Sequence, residues 1–376
     1  MIAGILFGFI PLAIWLYLIF GRDFFWLCRE RDDRADFALG EFPSIVAVVP
    51  ARNEADVIAK SIASLLAQDY PGAFRVILVD DQSDDGTGAI ARALNDARLT
   101  VLTGAPRPPG WTGKLWAMKQ GADQAGAPDY LWFTDADIAH SSDNLRNLMA
   151  RARGTGAVLV SLMAKLHCRA AAEHFLIPAF VFFFDMLYPF RAVNDPARKI
   201  AAAAGGCMLA RREALEAAGG IAAIQNEIID DCALARAMKK EGPIWLGLTN
   251  RAQSLRPYEH ISDIRQMVSR SAYAQLGYSP LLLAGTLLGL ALVFFAAPAV
   301  AMFGWGISQG AAWMAWLLMA ISFQPMLRFY RLSPLWGLAL PIIAGFYAVF
   351  TLESAIQHGR GRGGMWKGRA QAKGQG

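Results

Sequence analysis

The sequence predicts an α/β domain with a mainly parallel sheet, flanked by hydrophobic helices at both ends of the chain. Short β-rich runs alternate with helical stretches between residues 44 and 248, which is typical of that class. Hydrophobic residues make up 55% of the 376 residues and charged residues only 18%. Most charges lie between Arg22 and Arg270. One hydrophobic core does not account for a chain of this length, so we expect apolar ends around a polar middle.

The first element is an apolar N-terminal stretch. Residues 1–20 are uncharged, and a helix needs about 20 apolar residues to cross a bilayer. The basic residues between 22 and 34 would hold the following end in the cytoplasm. A cleaved signal peptide is the alternative, but such signals begin with a basic segment and nothing basic precedes Ile2. We therefore predict a transmembrane anchor over residues 1–22.

Six elements are predicted in the middle of the chain. Strands are predicted at 44–49, 74–79, 99–102 and 130–133, and helices at 54–68 and 85–94. Acidic or polar residues follow three of these strands. Ligands of open α/β sheets bind beyond the carboxyl ends of the strands. We therefore expect residues 52–54, 80–81 and 135–137 to converge on one crevice.

The composition and the absence of certain motifs argue against several classes of function. No G-x-G-x-x-G follows the first strand, so a dehydrogenase is not favoured, and there is no Walker P-loop. The four cysteines form no C-x-x-C pair, so neither a zinc site nor a disulfide framework is indicated. The net charge of +5 comes from basic residues at membrane flanks and in the tail. The excess of basic residues therefore indicates membrane topology and attraction to lipid headgroups rather than nucleic-acid binding.

The acidic residues at strand ends have a physical use in nucleotide binding. Asp80 or Asp81 can accept hydrogen bonds from a base N–H or from ribose hydroxyls, and residues 83–87 supply a helix cap. The segment Phe-Thr-Asp-Ala-Asp-Ile places Asp135 and Asp137 directly after a hydrophobic strand. Hard cations such as Mg²⁺ favour carboxylate and phosphate oxygens, so this pair is a candidate metal site.

Taken together, these motifs resemble inverting family 2 glycosyltransferases of the GT-A fold. The resemblance rests on Val-Val-Pro-Ala-Arg-Asn-Glu-Ala, Val-Asp-Asp-Gln-Ser-Asp-Asp-Gly-Thr, Trp-Thr-Gly-Lys-Leu-Trp-Ala, the Asp-x-Asp pair, and the segments 205–215 and 229–234. It implies a GT-A (Rossmann-like) nucleotide-sugar-binding domain over residues 40–255. In that domain, glycines 205 and 206 would permit close approach of the sugar or the acceptor, although an ordinary turn explains them nearly as well.

The resemblance also implies roles for individual residues, listed here by role. The donor would be held by Arg52, Glu54, Asp80, Asp81 and Lys114, with Mg²⁺ or Mn²⁺ on Asp135 and Asp137, and Asp231 beside Asp230 would act as the general base. Such a base takes a proton from the acceptor hydroxyl, and a single displacement would invert the configuration. Two alternatives stay open: Lys114 as a solvent-facing lysine, and residues 230–231 as carboxylates stabilised by a helix dipole.

The likeness weakens at residues 265–271, where processive members of the family carry Gln-x-x-Arg-Trp. Here Gln266 and Arg270 lie one residue further apart and no Trp follows. Arg270 remains a candidate contact to the donor diphosphate, from interfacial helices predicted over 256–280. Single transfer to a lipid is therefore favoured over polymer synthesis.

The C-terminal region is predicted to be membrane-embedded over residues 281–353. Residues 281–327 carry no charge and have room for two crossings with a turn at 304–310, and residues 332–352 form a third uncharged stretch. Three full spans from a cytoplasmic domain would leave the basic tail, residues 354–376, outside, against the positive-inside tendency. The number of true spans therefore stays open.

A further apolar segment lies inside the predicted catalytic domain, at residues 175–190. It is short and contains Asp185 and two prolines. It fits an ordinary core helix or a membrane-surface helix that receives a lipid acceptor equally well.

The whole arrangement is most similar to the hopene-associated glycosyltransferases, a bacterial membrane branch of family 2. The likeness includes Pro-Pro-Gly-Trp-Thr-Gly-Lys, the aromatic run before Pro189 and the tail Arg-Gly-Arg-Gly-Gly-Met-Trp-Lys-Gly-Arg. It implies a nucleotide-sugar donor, a UDP-sugar by preference, and a lipid acceptor such as a hopanoid. It also implies a multi-pass protein of the bacterial inner (plasma) membrane with a cytoplasmic catalytic domain, and no nucleic-acid partner. A processive polysaccharide synthase and a catalytically silent nucleotide-binding membrane subunit are the alternatives.

Overall fold

The structure, a computed structural model, describes residues 2–34, 40, 42–361, 365–366 and 369–370. The chain divides into two compact units, each built from more than one stretch of sequence. The sheet unit comprises residues 30–167, 192–257 and 364–376. The helical unit comprises residues 1–29, 168–191 and 258–363. The segment 168–191 therefore groups with the apolar ends of the chain and not with the sheet.

An eight-stranded mixed sheet forms the centre of the sheet unit. Its strands are β1 (Ile45–Ala51), β2 (Phe74–Asp80), β3 (Leu99–Thr103), β4 (Tyr130–Phe133), β5 (Ile138–His140), β6 (Leu159–Lys165), β7 (Met208–Arg211) and β8 (Ile244–Ser254). They lie in the order β3-β2-β1-β4-β7-β6-β8-β5. The four predicted strands form the half in which all neighbours are parallel. In the other half, β7 is antiparallel to β4 and β6, β5 is antiparallel to β8, and β6 and β8 are parallel.

The central strand β1 is apolar along its whole length because it is buried. All seven residues of β1 are buried, and a strand covered on both faces reads as a continuous apolar run. Gly121 lets the helix Gly113–Gln124 approach the sheet closely, since a Cβ there would collide with Val48 Cγ1. This close contact fixes the position of the first turn of that helix, which carries Lys114.

The helices of the sheet unit connect and cover the strands. They are Ile58–Leu66, Thr87–Arg92, Gly113–Gln124, Asn144–Thr155, Arg212–Ala217 and Asp230–Met238, with 3₁₀ turns at Asp32–Arg34 and Ile221–Ile224. The short helix Phe190–Asn194 carries the chain from the helical unit into the sheet unit. A two-stranded ribbon, Met365–Trp366 with Arg369–Ala370, lies near the C-terminus.

Both helices predicted in the middle region form, but each is shorter than predicted. The helix predicted at 54–68 begins at Ile58, because Asn53 adopts a φ of 50° and the Glu54 N–H donates to Thr87 Oγ1 at 2.8 Å. The helix predicted at 85–94 begins at Thr87, and Asp85 Oδ1 accepts a hydrogen bond from its N–H at 3.0 Å. One side-chain bond between the two loops and one within the second loop thus make both helices begin later than predicted.

The helical unit contains nine α-helices among the residues that the structure describes. They are Ile2–Phe20, Ala171–Leu187, Ile261–Ser269, Ala272–Gln275, Pro280–Leu290, Ala296–Phe303, Gly306–Ser322, Gln324–Phe329 and Leu340–Gly359. A π-helical turn, Ala291–Phe295, joins two of them, and 3₁₀ turns lie at Phe25–Leu27 and Pro334–Ala339. The helices predicted over 256–280 are thus formed, while their interfacial position stays a prediction.

Three helical stretches are long and apolar enough to cross a membrane, by length and composition. They are Pro280–Phe303, Gly306–Phe329 and Pro334–Gly359. They correspond to the three apolar stretches expected at the C-terminus, and the break at residues 304–305 lies within the predicted turn. Leu281, Phe303 and Trp305 are each more than three-quarters exposed within the unit, which suits a lipid-facing surface.

The N-terminal anchor predicted over residues 1–22 stays a prediction. A helix forms at Ile2–Phe20, and within it the described residues Gly8–Phe20 make a short apolar helix. The helix packs against Gly306–Ser322. Trp15 is fully buried, and its Nε1–H donates to Val293 O at 2.8 Å. One side of the N-terminal helix therefore packs within the helical unit, while Tyr17 and Phe20 on it are exposed.

The apolar segment at residues 175–190 forms most of the helix Ala171–Leu187 in the helical unit. Leu176, Ile177 and Phe182 on it are buried, and Leu176 O accepts a hydrogen bond from Tyr347 OH at 2.9 Å. Contact of this helix with a lipid acceptor stays a prediction. Of the predicted basic tail, residues 362–364, 367–368 and 371–376 lie outside the described residues.

Candidate active site

The carboxyl ends of three parallel strands meet at one edge of the sheet. In the register of the sheet, Ala51 on β1 pairs with Asp80 on β2, and Val48 on β1 pairs with Phe133 on β4. The residues that follow these strands must therefore leave the sheet side by side. This is the crevice expected from the sequence.

The loops after β1 and β2 are bonded to each other. Arg52 Nη1 donates to Gln82 O at 3.0 Å and also to Asp81 O. The Asn53 N–H donates to Ser83 Oγ at 3.0 Å, and Asn53 Oδ1 accepts from the N–H of residue 84 at 3.1 Å. Two of the three predicted groups are thus held together by short-range polar contacts.

The two aspartates at the end of β2 are both buried. Asp80 Oδ1 accepts a hydrogen bond from the Ser83 N–H at 3.0 Å. Gly88 lies against the other oxygen, because a Cβ at that position would collide with Asp80 Oδ2. The placement of the Asp80 carboxylate therefore depends on glycine at position 88.

Lys114 lies at the centre of an acidic cluster. Thr112 caps its helix, with Thr112 Oγ1 accepting from the Leu115 N–H at 3.3 Å, and this places Lys114 in the first turn. Lys114 Nζ lies 2.8 Å from Asp135 Oδ1 and 3.0 Å from Asp230 Oδ2. Burial opposes the lysine charge, but the nearby negative charges outweigh it and raise the pKa of Lys114. The solvent-facing alternative is therefore wrong, and the side chain is a fixed cation.

Asp231 lies in the first turn of the helix Asp230–Met238, beside the same lysine. Its Oδ2 accepts from the Gly205 N–H at 3.0 Å and its Oδ1 from the Cys232 N–H at 2.7 Å. Burial, and then the charge of Asp230, raise the pKa of Asp231 to about 6, although Lys114 acts in the opposite direction. A carboxylate with a pKa this close to neutrality is suited to accept a proton.

Gly205 lies between the lysine and the carboxylate. A Cβ at this position would lie 3.1 Å from Lys114 Nζ and 3.6 Å from Asp231 Oδ2. The absence of a side chain therefore lets the main chain of residue 205 approach both groups. Residues 205 and 231 were expected at one site, and the structure brings them into contact.

Arg256 lies two residues after the end of β8 and connects two other predicted site residues. Its Nε donates to Asp137 Oδ2 at 3.1 Å, and its Nη2 forms an ion pair with Glu54 Oε2. Glu54 is buried. Sequence reasoning missed Arg256, because the arginine belongs to no motif and lies 119 residues from Asp137 and 202 residues from Glu54 in the chain.

With this geometry in view, residues 46–219 match the profile of the family described as Glycosyl transferase family 2. The chain contains a glycosyltransferase family 2 domain. Succinoglycan biosynthesis protein ExoO from Rhizobium meliloti is 34% identical over 125 residues, which cover 32% of this chain and 33% of that protein. Poly-beta-1,6-N-acetyl-D-glucosamine synthase from Staphylococcus aureus is 26% identical over 139 residues, 36% of this chain and 32% of that protein. The chain thus spans about a third of the length of these curated relatives.

The fold of the family 2 domain also matches a solved structure. Mannosyltransferase PcManGT from Pyrobaculum calidifontis, solved in complex with GDP-Man and Mn²⁺, superposes with a TM-score of 0.58 at 19% identity. The match covers 94% of this chain and 99% of that chain. At this identity the likeness concerns the fold, which is of the GT-A type, as expected from the sequence.

The carboxylates of the family 2 domain fit a divalent cation that is shared with a donor. The described residues contain no group of three or more His, Cys, Asp or Glu that could hold a metal ion by itself. Mg²⁺, however, is commonly held by one or two carboxylates together with substrate phosphates. Asp135 and Asp137 supply two such carboxylates after β4, where the sequence placed them.

Arg270, a candidate from the sequence, and His140 are two further titratable residues. Arg270 lies in the helical unit, at the end of the helix Ile261–Ser269, and its predicted contact with the diphosphate stays a prediction. His140 is buried, with Thr134 Oγ1 at 2.9 Å from Nε2 and Asn144 Nδ2 at 2.9 Å from Nδ1. Burial lowers the pKa of His140 to about 3. It is a neutral core histidine.

Proposed function

We propose that the protein is a membrane-embedded inverting glycosyltransferase. It moves a sugar from a nucleoside-diphosphate sugar, a UDP-sugar by preference, to a lipid acceptor. The observation that carries this proposal is the cluster of Lys114, Asp230, Asp231 and Gly205 at the carboxyl edge of the parallel strands. The cluster combines a fixed cation, a carboxylate with a raised pKa and the half-buried main chain of Gly205.

The donor side of the site is formed by the loops after β1 and β2 and by Lys114. Asp80 and Asp81 are suited to accept hydrogen bonds from the base or the ribose, while Arg52 and Glu54 border the same loops. Lys114 is charged and lies next to Asp135, so it can pair with diphosphate oxygens. Mg²⁺ or Mn²⁺, when bound at Asp135 and Asp137, offsets the charge that develops on the leaving diphosphate.

Asp231 is proposed to act as the general base. Its ionised carboxylate takes the proton from an acceptor hydroxyl while the hydroxyl oxygen forms a bond to the anomeric carbon. The bond between that carbon and the diphosphate oxygen breaks in the same step, and the nucleoside diphosphate leaves. One displacement of this kind inverts the anomeric configuration. Burial, and after it the negative charge of Asp230, keep the pKa of Asp231 raised.

A membrane lipid is the proposed acceptor, and a hopanoid is the proposed example. Three helical stretches of suitable length and composition support location in the bacterial inner membrane with the sheet unit in the cytoplasm. The hopanoid itself rests on the resemblance of the sequence to the hopene-associated branch of the family.

Processive polysaccharide synthesis is a second candidate function. Its support is the similarity to a protein named as a polysaccharide synthase. Product length discriminates between the two: a single-transfer enzyme gives one glycosylated lipid, and a processive enzyme gives a ladder or a polymer. A catalytically silent subunit would give no sugar transfer at all.

The proposed function is tested by nucleoside-diphosphate release from purified protein in lipid micelles, with a panel of donor sugars and Mg²⁺ or Mn²⁺. Asp231→Asn should lose roughly 10²- to 10⁴-fold in turnover, which is the usual contribution of a general base, and should still bind the donor. Asp137→Ala should lose turnover together with metal-dependent donor binding. Full activity of Asp231→Asn would contradict the assignment of the base. No turnover with any donor or lipid extract would favour the silent subunit.

A further inference from the structure

Both aspartates of the Asp-x-Asp pair are already ion-paired with cations of the chain. Lys114 Nζ lies 2.8 Å from Asp135 Oδ1, and Arg256 Nε lies 3.1 Å from Asp137 Oδ2. The two cations differ in kind, since a lysine is a single rotatable point charge whereas a guanidinium is a rigid fork. Arg256 uses this fork to hold Asp137 and Glu54 at the same time.

The ion pair with Glu54 explains why Arg256 is held firmly. The Glu54 side chain is only 9% exposed, and those of Asp137 and Arg256 are 21% and 30% exposed. A buried carboxylate is costly unless a counterion and hydrogen bonds accompany it. The guanidinium therefore compensates Glu54 and at the same time occupies an oxygen of Asp137 that a divalent cation would use.

We infer that Arg256 is an internal counterion that makes cation binding at Asp137 depend on the donor diphosphate. This inference rests on the proposed function, because it takes Asp137 as part of the metal site. A free divalent cation must compete with the guanidinium for Asp137. A diphosphate brings its own anionic oxygens, which supply the cation with further ligands and give Arg256 a replacement partner. Cation and nucleotide should therefore bind with positive coupling, and the coupling must be reciprocal.

The role is tested by measuring Mn²⁺ affinity by electron paramagnetic resonance, with and without UDP, for the wild type and Arg256→Gln. Removing a positive charge in direct contact with a metal ligand strengthens attraction of a second cation. Arg256→Gln should bind Mn²⁺ alone about tenfold more tightly or better, a factor equal to ~1.4 kcal/mol. The gain in Mn²⁺ affinity that UDP produces should be smaller in the variant than in the wild type.

The chain offers a matched control in Arg251. This arginine also joins two carboxylates, with Asp143 Oδ2 at 2.8 Å and Asp32 Oδ2 at 3.4 Å, and it belongs to no part of the site. Arg251→Gln makes the same change in charge and should leave Mn²⁺ affinity as in the wild type. Arg256→Lys keeps the charge and should keep weak binding of Mn²⁺ alone.

A second variant covers the case in which Arg256→Gln fails to fold because Glu54 is left buried without its counterion. The double variant Glu54→Gln, Arg256→Gln removes that buried charge and still removes the guanidinium from Asp137. It should also bind Mn²⁺ alone more tightly than the wild type. Thermal melts of each variant establish that it is folded before titration.

The outcomes separate this inference from the proposed function. Unchanged or weaker binding of Mn²⁺ alone by folded Arg256→Gln, or no Mn²⁺ binding by either protein, would overturn the inference. Weaker UDP binding in the variant without any change for Mn²⁺ alone would also overturn it, because Arg256 would then be a diphosphate ligand only. If no sugar is transferred but Arg256→Gln gains Mn²⁺ affinity, the proposed function fails and the counterion role stands.

Discussion

Asp231 is the residue on which the proposed chemistry depends most directly. It combines a position beside the main chain of Gly205 with burial next to the carboxylate of Asp230 and the ammonium group of Lys114. Burial disfavours the ionised form, and Lys114 limits that effect. The result is a carboxylate that is weakly acidic for an aspartate but still mostly ionised above neutral pH. The positive charge of Lys114 favours the ionised form of Asp231. Lys114 itself stays protonated, because its own pKa is raised.

This environment predicts the pH dependence of the reaction. The base must be unprotonated, and the pKa of Asp231 is raised to about 6. We therefore expect kcat/KM to rise with pH through about 6 and to level off above it. Initial rates of nucleoside-diphosphate release from pH 5 to 8, in buffers of constant ionic strength, measure this. A profile that is flat over this range, or that falls with rising pH, would contradict the role of Asp231.

Gly88 provides a residue-scale test of the nucleotide subsite. A Cβ at position 88 would collide with Asp80 Oδ2, so Gly88→Ala must move the Asp80 carboxylate. We expect the Kd for UDP to increase by roughly tenfold, the value of one hydrogen bond to a charged group. Gly310→Ala is the control, because nothing lies within 4 Å of its Cβ position. Calorimetric titration with UDP that shows equal affinity for both variants would remove Asp80 from the subsite.

At the scale of elements, one lysine bonds to the main chain at three points between Val193 and Ile200, on the way from the helix Phe190–Asn194 to β7. Lys239 Nζ donates to the carbonyl oxygens of Val193, Asp195 and Ile200, at 2.6, 3.1 and 2.8 Å. This segment leads into Gly205, so its position affects the contact between Gly205 and Asp231. Lys239 is thus one support of a site loop that has no regular secondary structure, and Ser161 Oγ, which accepts from the Ala204 N–H at 2.8 Å, is another.

Removal of this lysine should destabilise the sheet unit. We expect Lys239→Met to cost roughly 1–3 kcal/mol, because three carbonyl oxygens lose a charged donor. Thermal melts in micelles should show a lower Tm, and turnover at low temperature should fall with it. The neighbouring exposed residue serves as control, and Lys240→Met should melt like the wild type. Equal Tm values for the two variants would show that the segment is supported elsewhere.

The elements that the sequence predicted well are those with a strong local signal. β1, β2, β3 and β4 are short apolar runs with polar ends, and each forms within two residues of its predicted bounds. β5 has only three residues, and β8 is eleven residues long but ends in polar residues. Neither strand shows a clear alternation of apolar and polar residues. Both depend on pairing with neighbouring strands, which reasoning from a single sequence cannot detect.

The same distinction holds within the candidate site. Asp80, Asp135 and Asp231 follow apolar strands or begin a helix, where acidic residues carry a local signal. Arg256 has no such signal, since its importance comes from two carboxylates far away in the chain. The alternative that placed residues 230–231 at a helix N-terminus was also correct in part, because both lie in a first turn and Asp231 still contacts Gly205.

At the scale of the whole molecule, the chain is divided differently from the contiguous domains that the sequence suggested. The predicted catalytic domain spans residues 40–255, whereas residues 168–191 group with the helical unit. The apolar composition of residues 175–190 was compatible with a membrane-surface helix, but the segment is short and contains Asp185 and two prolines, so a core helix fitted equally well. Only packing against other apolar helices decides such a case, and that information lies far away in sequence.

Membrane location is a prediction at this scale. The helical unit contains three stretches long enough to cross a bilayer and exposes large apolar side chains such as Leu281 and Phe303. We therefore expect the protein to stay in the membrane pellet after extraction with alkaline carbonate and to be released by detergent. Release by carbonate alone would show that the helices do not span a membrane.

The most direct test of the central claim is the anomeric configuration of the first product. The glycosylated lipid formed from a donor of known configuration is isolated at early times, and its anomeric coupling constant is measured by nuclear magnetic resonance. A single displacement with Asp231 as base predicts a product whose configuration is opposite to that of the donor sugar. Retention of the donor configuration would contradict the proposed mechanism.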